Sequence, residues 1–95
     1  MTLLSYEIFQ TIIEQGSFAK AAQLLHLTPS AVSHSISSME EEVGFPLFIR
    51  NKNGVQLTSA GEQICPYLQK IVAANNSLLQ TVSQMKGLQT GTVKI

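Results

Sequence analysis

Residues 17–38 read Ser-Phe-Ala-Lys-Ala-Ala-Gln-Leu-Leu-His-Leu-Thr-Pro-Ser-Ala-Val-Ser-His-Ser-Ile-Ser-Ser. The pattern predicts two short helices joined by a tight turn. In the first, about 18–26, Ala19, Ala21 and Ala22 let backbones approach closely while Phe18, Leu24 and Leu25 fill volume. Leu27-Thr28 makes the turn. Thr28 is a good N-cap, and Pro29 suits the first helical position, where its missing N–H would have been unpaired anyway. The next helix, about 29–43, has an apolar stripe at Val32, Ile36, Met39 and Val43, which fall on one side at 100° per residue. The opposite side shows Ser30, Ala31, His34, Ser37 and Ser38, with Ser33 and Ser35 on the flanks. Serine is a mediocre helix former, so five of them in one helix cost stability without local return. A small apolar helix followed by a hydroxyl-rich one is the layout of a helix-turn-helix, in which one helix buttresses and the next fits a groove of DNA.

Working outward, residues 3–15 place Leu4, Ile8, Phe9, Ile12 and Ile13 at steps that suit one face of an amphipathic helix. Gly16 ends it, and Ser17 offers an N-cap oxygen to the next. After Gly44 closes the third helix, Phe45–Arg50 and Val55–Leu57 flank Asn51-Lys52-Asn53-Gly54. The Asn-Gly pair predicts a hairpin with a type I′ turn, whose two central residues need positive φ; this is the position of a wing, about 46–57. Ser59-Ala60-Gly61-Glu62 fits a capping box that opens a long helix. Ile64, Leu68, Ile71, Asn75, Leu78, Val82 and Met85 then follow a 3.5-residue repeat, with Leu79 beside it. Pro66 is expected to kink this helix, because the bond to the carbonyl of Glu62 is lost. Gly87–Gly91 reads as a hinge, and Thr92–Ile95 as a strand that opens another domain. The expected division is a winged helix-turn-helix over 1–58, a linker helix over 59–86, and a hinge with a first strand over 87–95.

Ninety-five residues, 44% hydrophobic, make one small domain with an appendage. No apolar run approaches the ~20 residues that span a bilayer, and the start lacks the pattern of a secretory signal. With a single cysteine the chain is expected to be cytoplasmic, away from membranes. Six Lys+Arg balance six Asp+Glu, and the pI near 6.7 lacks the basic footprint of a nucleic-acid binder. The distribution is more favourable. Phe18 to Met39 contains no acid while holding Lys20, His26 and His34, and no acid separates Arg50 and Lys52 from Glu62.

Enzyme chemistry finds no support. Cys65 stands next to a proline, far in sequence from both histidines, and the chain has no aspartate. One Cys and two His without ligand spacing do not make a zinc site; Cys65 is expected to fill an interface. No cofactor is expected in this chain.

These residues, taken in order, resemble the DNA-binding domain of LysR-type transcriptional regulators. The likeness rests on Phe9, Gly16-Ser17-Phe18, Ala21-Ala22, Leu24, His26-Leu27-Thr28, Ser30-Ala31-Val32-Ser33-His34, Ile36, Met39-Glu40, Leu47-Phe48, Arg50 and Leu57–Glu62. It is dense over 1–64 and a matter of pattern over 65–90. The resemblance implies a mainly α winged helix-turn-helix, a linker helix that pairs two subunits antiparallel, and a following effector domain that takes a small-molecule co-inducer. It also implies base and phosphate contacts at the start of the third helix and minor-groove contacts from the wing. The residues expected against double-stranded DNA are Ser17, Lys20, Thr28, Pro29, Ser30, Ala31, Ser33, His34, Ser37, Ser38, Arg50, Lys52 and Asn53. Those expected in the homodimer seam are Ile64, Leu68, Ile71, Asn75, Leu78, Leu79, Val82 and Met85, with a tetramer left open for the intact protein.

Two departures from the family pattern stand out. Pro29 replaces a residue that is often a base-reading glutamine, and Ser35, Ser37 and Ser38 stand where Gln, Arg or Lys are frequent. Bidentate base readout is therefore largely missing from this helix, which leaves hydroxyls, His34 and DNA shape to carry specificity. Several residues keep a second reading. Arg50 and Lys52 are also explained as solubilising charges, Asn53 by turn geometry, His26 as a cap or packed surface residue, and Glu40–Glu42 as a solvated helix end. Neutral overall charge leaves one rival class, a winged-helix module for protein interaction or dimerisation.

Overall fold

The computed structural model describes residues 1–90. In chain order it contains α1 (Leu3–Gln15), α2 (Phe18–Leu24), α3 (Pro29–Val43), β1 (Phe48–Asn51), β2 (Gly54–Leu57) and α4 (Ser59–Thr90). The strand expected at 92–95 lies outside the described residues.

The helix ends follow their capping residues. Thr2 opens α1 and exchanges bonds with Ser5 in a capping box. Gly16 closes α1 at φ 71, in the left-handed region that costs glycine nothing. Ser17 caps α2 by accepting from Lys20 N at 3.2 Å, and Thr28 caps α3 by accepting from Ala31 N at 3.0 Å. The structure shortens α2 to Phe18–Leu24. His26 takes φ 59, alone among the described non-glycine residues in having a positive φ, so the chain turns two residues earlier than expected. Leu24 consequently points to solvent instead of filling volume, and Leu4 and Ile13 of α1 are also exposed.

The core joins Ile8, Phe9 and Ile12 of α1 to Phe18, Ala21 and Ala22 of α2 and to Val32, Ile36 and Met39 of α3. Ala21 and Ala22 are essentially fully buried; a small residue at each lets the neighbouring helices close in. Leu47 and Leu68 complete the cluster from the far side.

β1 and β2 pair antiparallel from Phe48↔Leu57 to Asn51↔Gly54. The loop between them is therefore Lys52-Asn53, and the expected type I′ turn on Asn53-Gly54 is corrected. Asn51 Oδ1 accepts from Asn53 N at 2.9 Å, an Asx turn in which a side chain stands in for backbone. The positive φ falls on Gly54 instead, at 123°.

The wing is held at its base from two directions. Glu40 on α3 accepts through Oε2 from Leu47 N at 2.6 Å and from Phe48 N at 3.3 Å. Thr58 donates its hydroxyl to the Pro46 carbonyl at 2.6 Å and accepts from Gly61 N at 3.0 Å. Thr58, not Ser59, is thus the cap of α4. Gly61 sits where the first turn of α4 crosses this segment: a Cβ there would overlap the Leu47 carbonyl oxygen and stand 2.8 Å from Leu57 Cδ2.

α4 stays helical across Pro66 and runs past Gly87 to Thr90, where a hinge was expected from 87 onward. One glycine costs a helix about 1 kcal/mol, too little to stop it. At 32 residues the helix spans about 48 Å. The molecule measures 54 × 25 × 20 Å with a radius of gyration of 16.5 Å, against about 12 Å for a compact chain of this length. The excess is the half of α4 that protrudes from the domain.

Candidate nucleic-acid interface

The outer side of α3 is the largest run of expected site residues on one surface. Val32, Ile36 and Met39 are buried, so helical period turns Ser30, Ala31, His34, Ser37 and Ser38 outward, and all five are exposed. Thr28 and Pro29 at the helix start are exposed as well. There is no acid in the first turn of α3, which leaves the partial positive charge of the helix start uncancelled. The same outward face ends in the exposed Glu41, whose charge repels phosphate, so the N-terminal half is the part suited to a groove.

Ser33 does not belong to that open face. It is half-buried, and its Oγ accepts from Arg50 Nη2 at 3.0 Å. The Arg50 guanidinium lies with Cζ 3.5 Å from the centroid of the Phe18 ring. Phe18 meets Phe48 edge to face at 5.5 Å, and Phe48 tilts against Phe9 at 4.9 Å. Arg50 is thereby tied to the starts of both helices of the motif. Lys52 and Asn53 are exposed at the wing tip. Ser17 is half-buried and Lys20 exposed at the start of α2. The sequence reading missed the role of Phe18 beneath Arg50; an aromatic at the first position of α2 next to a cationic strand was the available signal.

The seam residues divide. Leu68 is only 5% exposed and belongs to the core cluster, so its expected place against a second subunit is corrected: its surface is spent on its own domain. Ile64 is half-buried and packs against the same core. Beyond them, Ile71, Leu78, Leu79, Val82 and Met85 are exposed, while Asn75 is half-buried. Tyr67, 67% exposed, falls on the side of the helix shared by Ile71, Leu78 and Met85. It takes the outward position that Leu68 leaves, and the heptad reading passed it over because both steps, to 67 and to 68, fit the period. Cys65 packs against the domain's own core, and burial pushes its thiol pKa up. Among the described residues no three His, Cys or acidic side chains gather as a metal site.

Three helices, a two-stranded wing and a protruding fourth helix define a winged helix-turn-helix. The model of the bacterial regulatory helix-turn-helix proteins of the lysR family matches residues 3–62, and the chain belongs to that family. It is 40% identical over its whole length to the HTH-type transcriptional regulator YvbU of Bacillus subtilis. It is 35% identical over 99% of its length to the RuBisCO operon transcriptional regulator of Acidithiobacillus ferrooxidans. The chain spans 33% and 30% of those two relatives, about a third of their length. Among solved structures, the BenM_DBD/catB site 1 DNA complex is similar with a TM-score of 0.83 at 27% identity, over 90% of this chain and 97% of that one. Oxidized OxyR of Corynebacterium glutamicum is similar at 0.84 and 29%, over 90% of this chain and 26% of that one.

Proposed function

We propose that this chain is the DNA-binding and dimerising part of a transcriptional regulator, acting in the cytoplasm on an interrupted palindrome. Two copies pair through the exposed stripe of α4 and set two α3 helices into successive major grooves, with the wings toward the flanking minor grooves. Pairing adds the contacts of two weakly charged subunits, and effective concentration offsets the low charge of each. A small-molecule co-inducer would act on another part of the whole regulator, and this chain alone is expected not to respond to one.

The observation that carries the reading is the outward face of α3: short polar side chains, no acid in the first three turns, and Arg50 at its edge. Short side chains let a helix approach base edges and phosphates closely, and the family membership supports the same use. The test is a binding isotherm with two duplexes of equal length and composition, one enriched from a random pool by the chain itself and one shuffled. A preference of at least about 10³ for the enriched duplex is expected of a specific binder. Equal affinity for both would remove the reading.

A further inference from the structure

The fold grips Arg50 on two sides, through Phe18 and Ser33. We infer that Phe18 and Ser33 are positioning residues that hold Arg50 for a DNA phosphate at the junction of α2, α3 and the wing, and that Ser33 does not read a base. The inference rests on the DNA-binding reading above and deepens it.

The geometry has three parts. The guanidinium lies over the Phe18 ring, with Cζ 3.5 Å from its centroid. One edge is fixed by the 3.0 Å bond from Nη2 to Ser33 Oγ. The Phe18 ring packs edge to face on Phe48 of β1, and Phe48 packs on Phe9 of the core, so the platform is tied to the core and to the base of the same strand that carries Arg50. Among the described residues no carboxylate makes a salt bridge with Arg50, and the side chain is exposed. A guanidinium carries five N–H donors in a fork that fits a phosphate bidentately. Stacking and one hydroxyl use the face and part of one edge, which leaves donors directed to solvent.

An exposed arginine normally loses rotamer freedom when it binds an anion. Here that ordering is largely done before DNA arrives, which raises affinity without a new contact. Because the partner is a phosphate, the gain is the same for every sequence. Ser33 differs in this from Ser30, Ser37 and Ser38, whose hydroxyls stand on the open face.

The test uses Ser33→Ala, Phe18→Leu and Arg50→Ala, singly and paired, against the enriched and shuffled duplexes. Ser33→Ala and Phe18→Leu are expected to weaken both duplexes by the same factor, about two- to tenfold. In the Arg50→Ala background each should cost nothing further, as a coupled unit requires. Arg50→Lys keeps the charge but loses the fork and the stack, and should fall close to Arg50→Ala. The proposal is overturned if Ser33→Ala changes the ratio between the duplexes, or if its cost persists without Arg50. Ser33→Ala lies on a partly exposed surface, so it keeps the test decisive should Phe18→Leu fail to fold. A readout without DNA separates this from the functional reading. The Arg50 δ protons, held over the ring, should show an upfield ring-current shift in the NMR spectrum. Ser33→Ala should diminish that shift, and random-coil values in the wild type would refute the clamp whatever the chain binds.

Discussion

His34 and His26 show how differently one residue type is used eight positions apart. His34 stands at the centre of the outward face of α3, exposed among hydroxyls, and has both a donor and an acceptor for a base edge. His34→Ala is expected to reduce the preference for an enriched duplex over a shuffled one by about tenfold, read as the ratio of two dissociation constants. A uniform loss on both duplexes would assign it to phosphate instead. His26 has a backbone task. At φ 59 it occupies the left-handed region that a β-branched side chain adopts only under strain. His26→Val should therefore lower unfolding stability by about 1–2 kcal/mol, while His26→Gly should leave it close to wild type, because relief of strain and added chain entropy oppose each other. Thermal or urea melts of the two variants check the contrast. The sequence reading identified His26 as a cap or surface residue, but its sign of φ depends on where α2 stops.

Among the elements, α4 serves two masters along its length. Its first turn is threaded under Leu47 and against Leu57, where only glycine fits at 61. Gly61→Ala would improve helix propensity by about 1 kcal/mol, but the added Cβ meets a backbone carbonyl that cannot rotate away. The clash wins: a net loss of about 1–3 kcal/mol is expected in urea unfolding, with the wing displaced. The far half of α4 supplies no residue to the core cluster and leaves Leu78, Val82 and Met85 exposed. Leu78→Glu should convert a dimer to a monomer in sedimentation equilibrium and weaken DNA binding, with little change in the far-UV spectrum. A variant that stays dimeric would relocate the seam. The heptad pattern was legible from Ile64 onward, but not which of its members the domain keeps. Leu68 and Tyr67 are neighbours in sequence and face opposite demands, because the body of the domain covers one side of the helix and not the other.

At the scale of the molecule, electrostatics set an upper limit on how the chain holds DNA. Net charge is zero, and the expected interface has three cations per copy, Lys20, Arg50 and Lys52. Two copies release at most about six counterions, so log Kd should change with log salt at a slope no steeper than about 5. Titrations from low to physiological salt measure it. A much steeper slope would draw Lys70 or Lys86 of α4 into the contact and change the docking geometry. The long axis of 54 Å belongs to the same scale, since in the proposed dimer the overhanging helix would space two domains along a duplex.

Local chemistry was enough to read the helix boundaries set by Thr28, Pro29, Gly16 and Gly44, the stripe that turns the serines of α3 outward, and the existence of a hairpin. Those features depend on residues within a few positions of one another, through capping, period and φ preference. Contacts between distant segments decided the rest. Arg50 reaches across 17 residues to Ser33 and lies on Phe18, Glu40 anchors the wing through Leu47 and Phe48, and Leu68 is taken into the core. Such pairings follow from how the helices pack in three dimensions, and no periodicity along the chain encodes the separation between the partners.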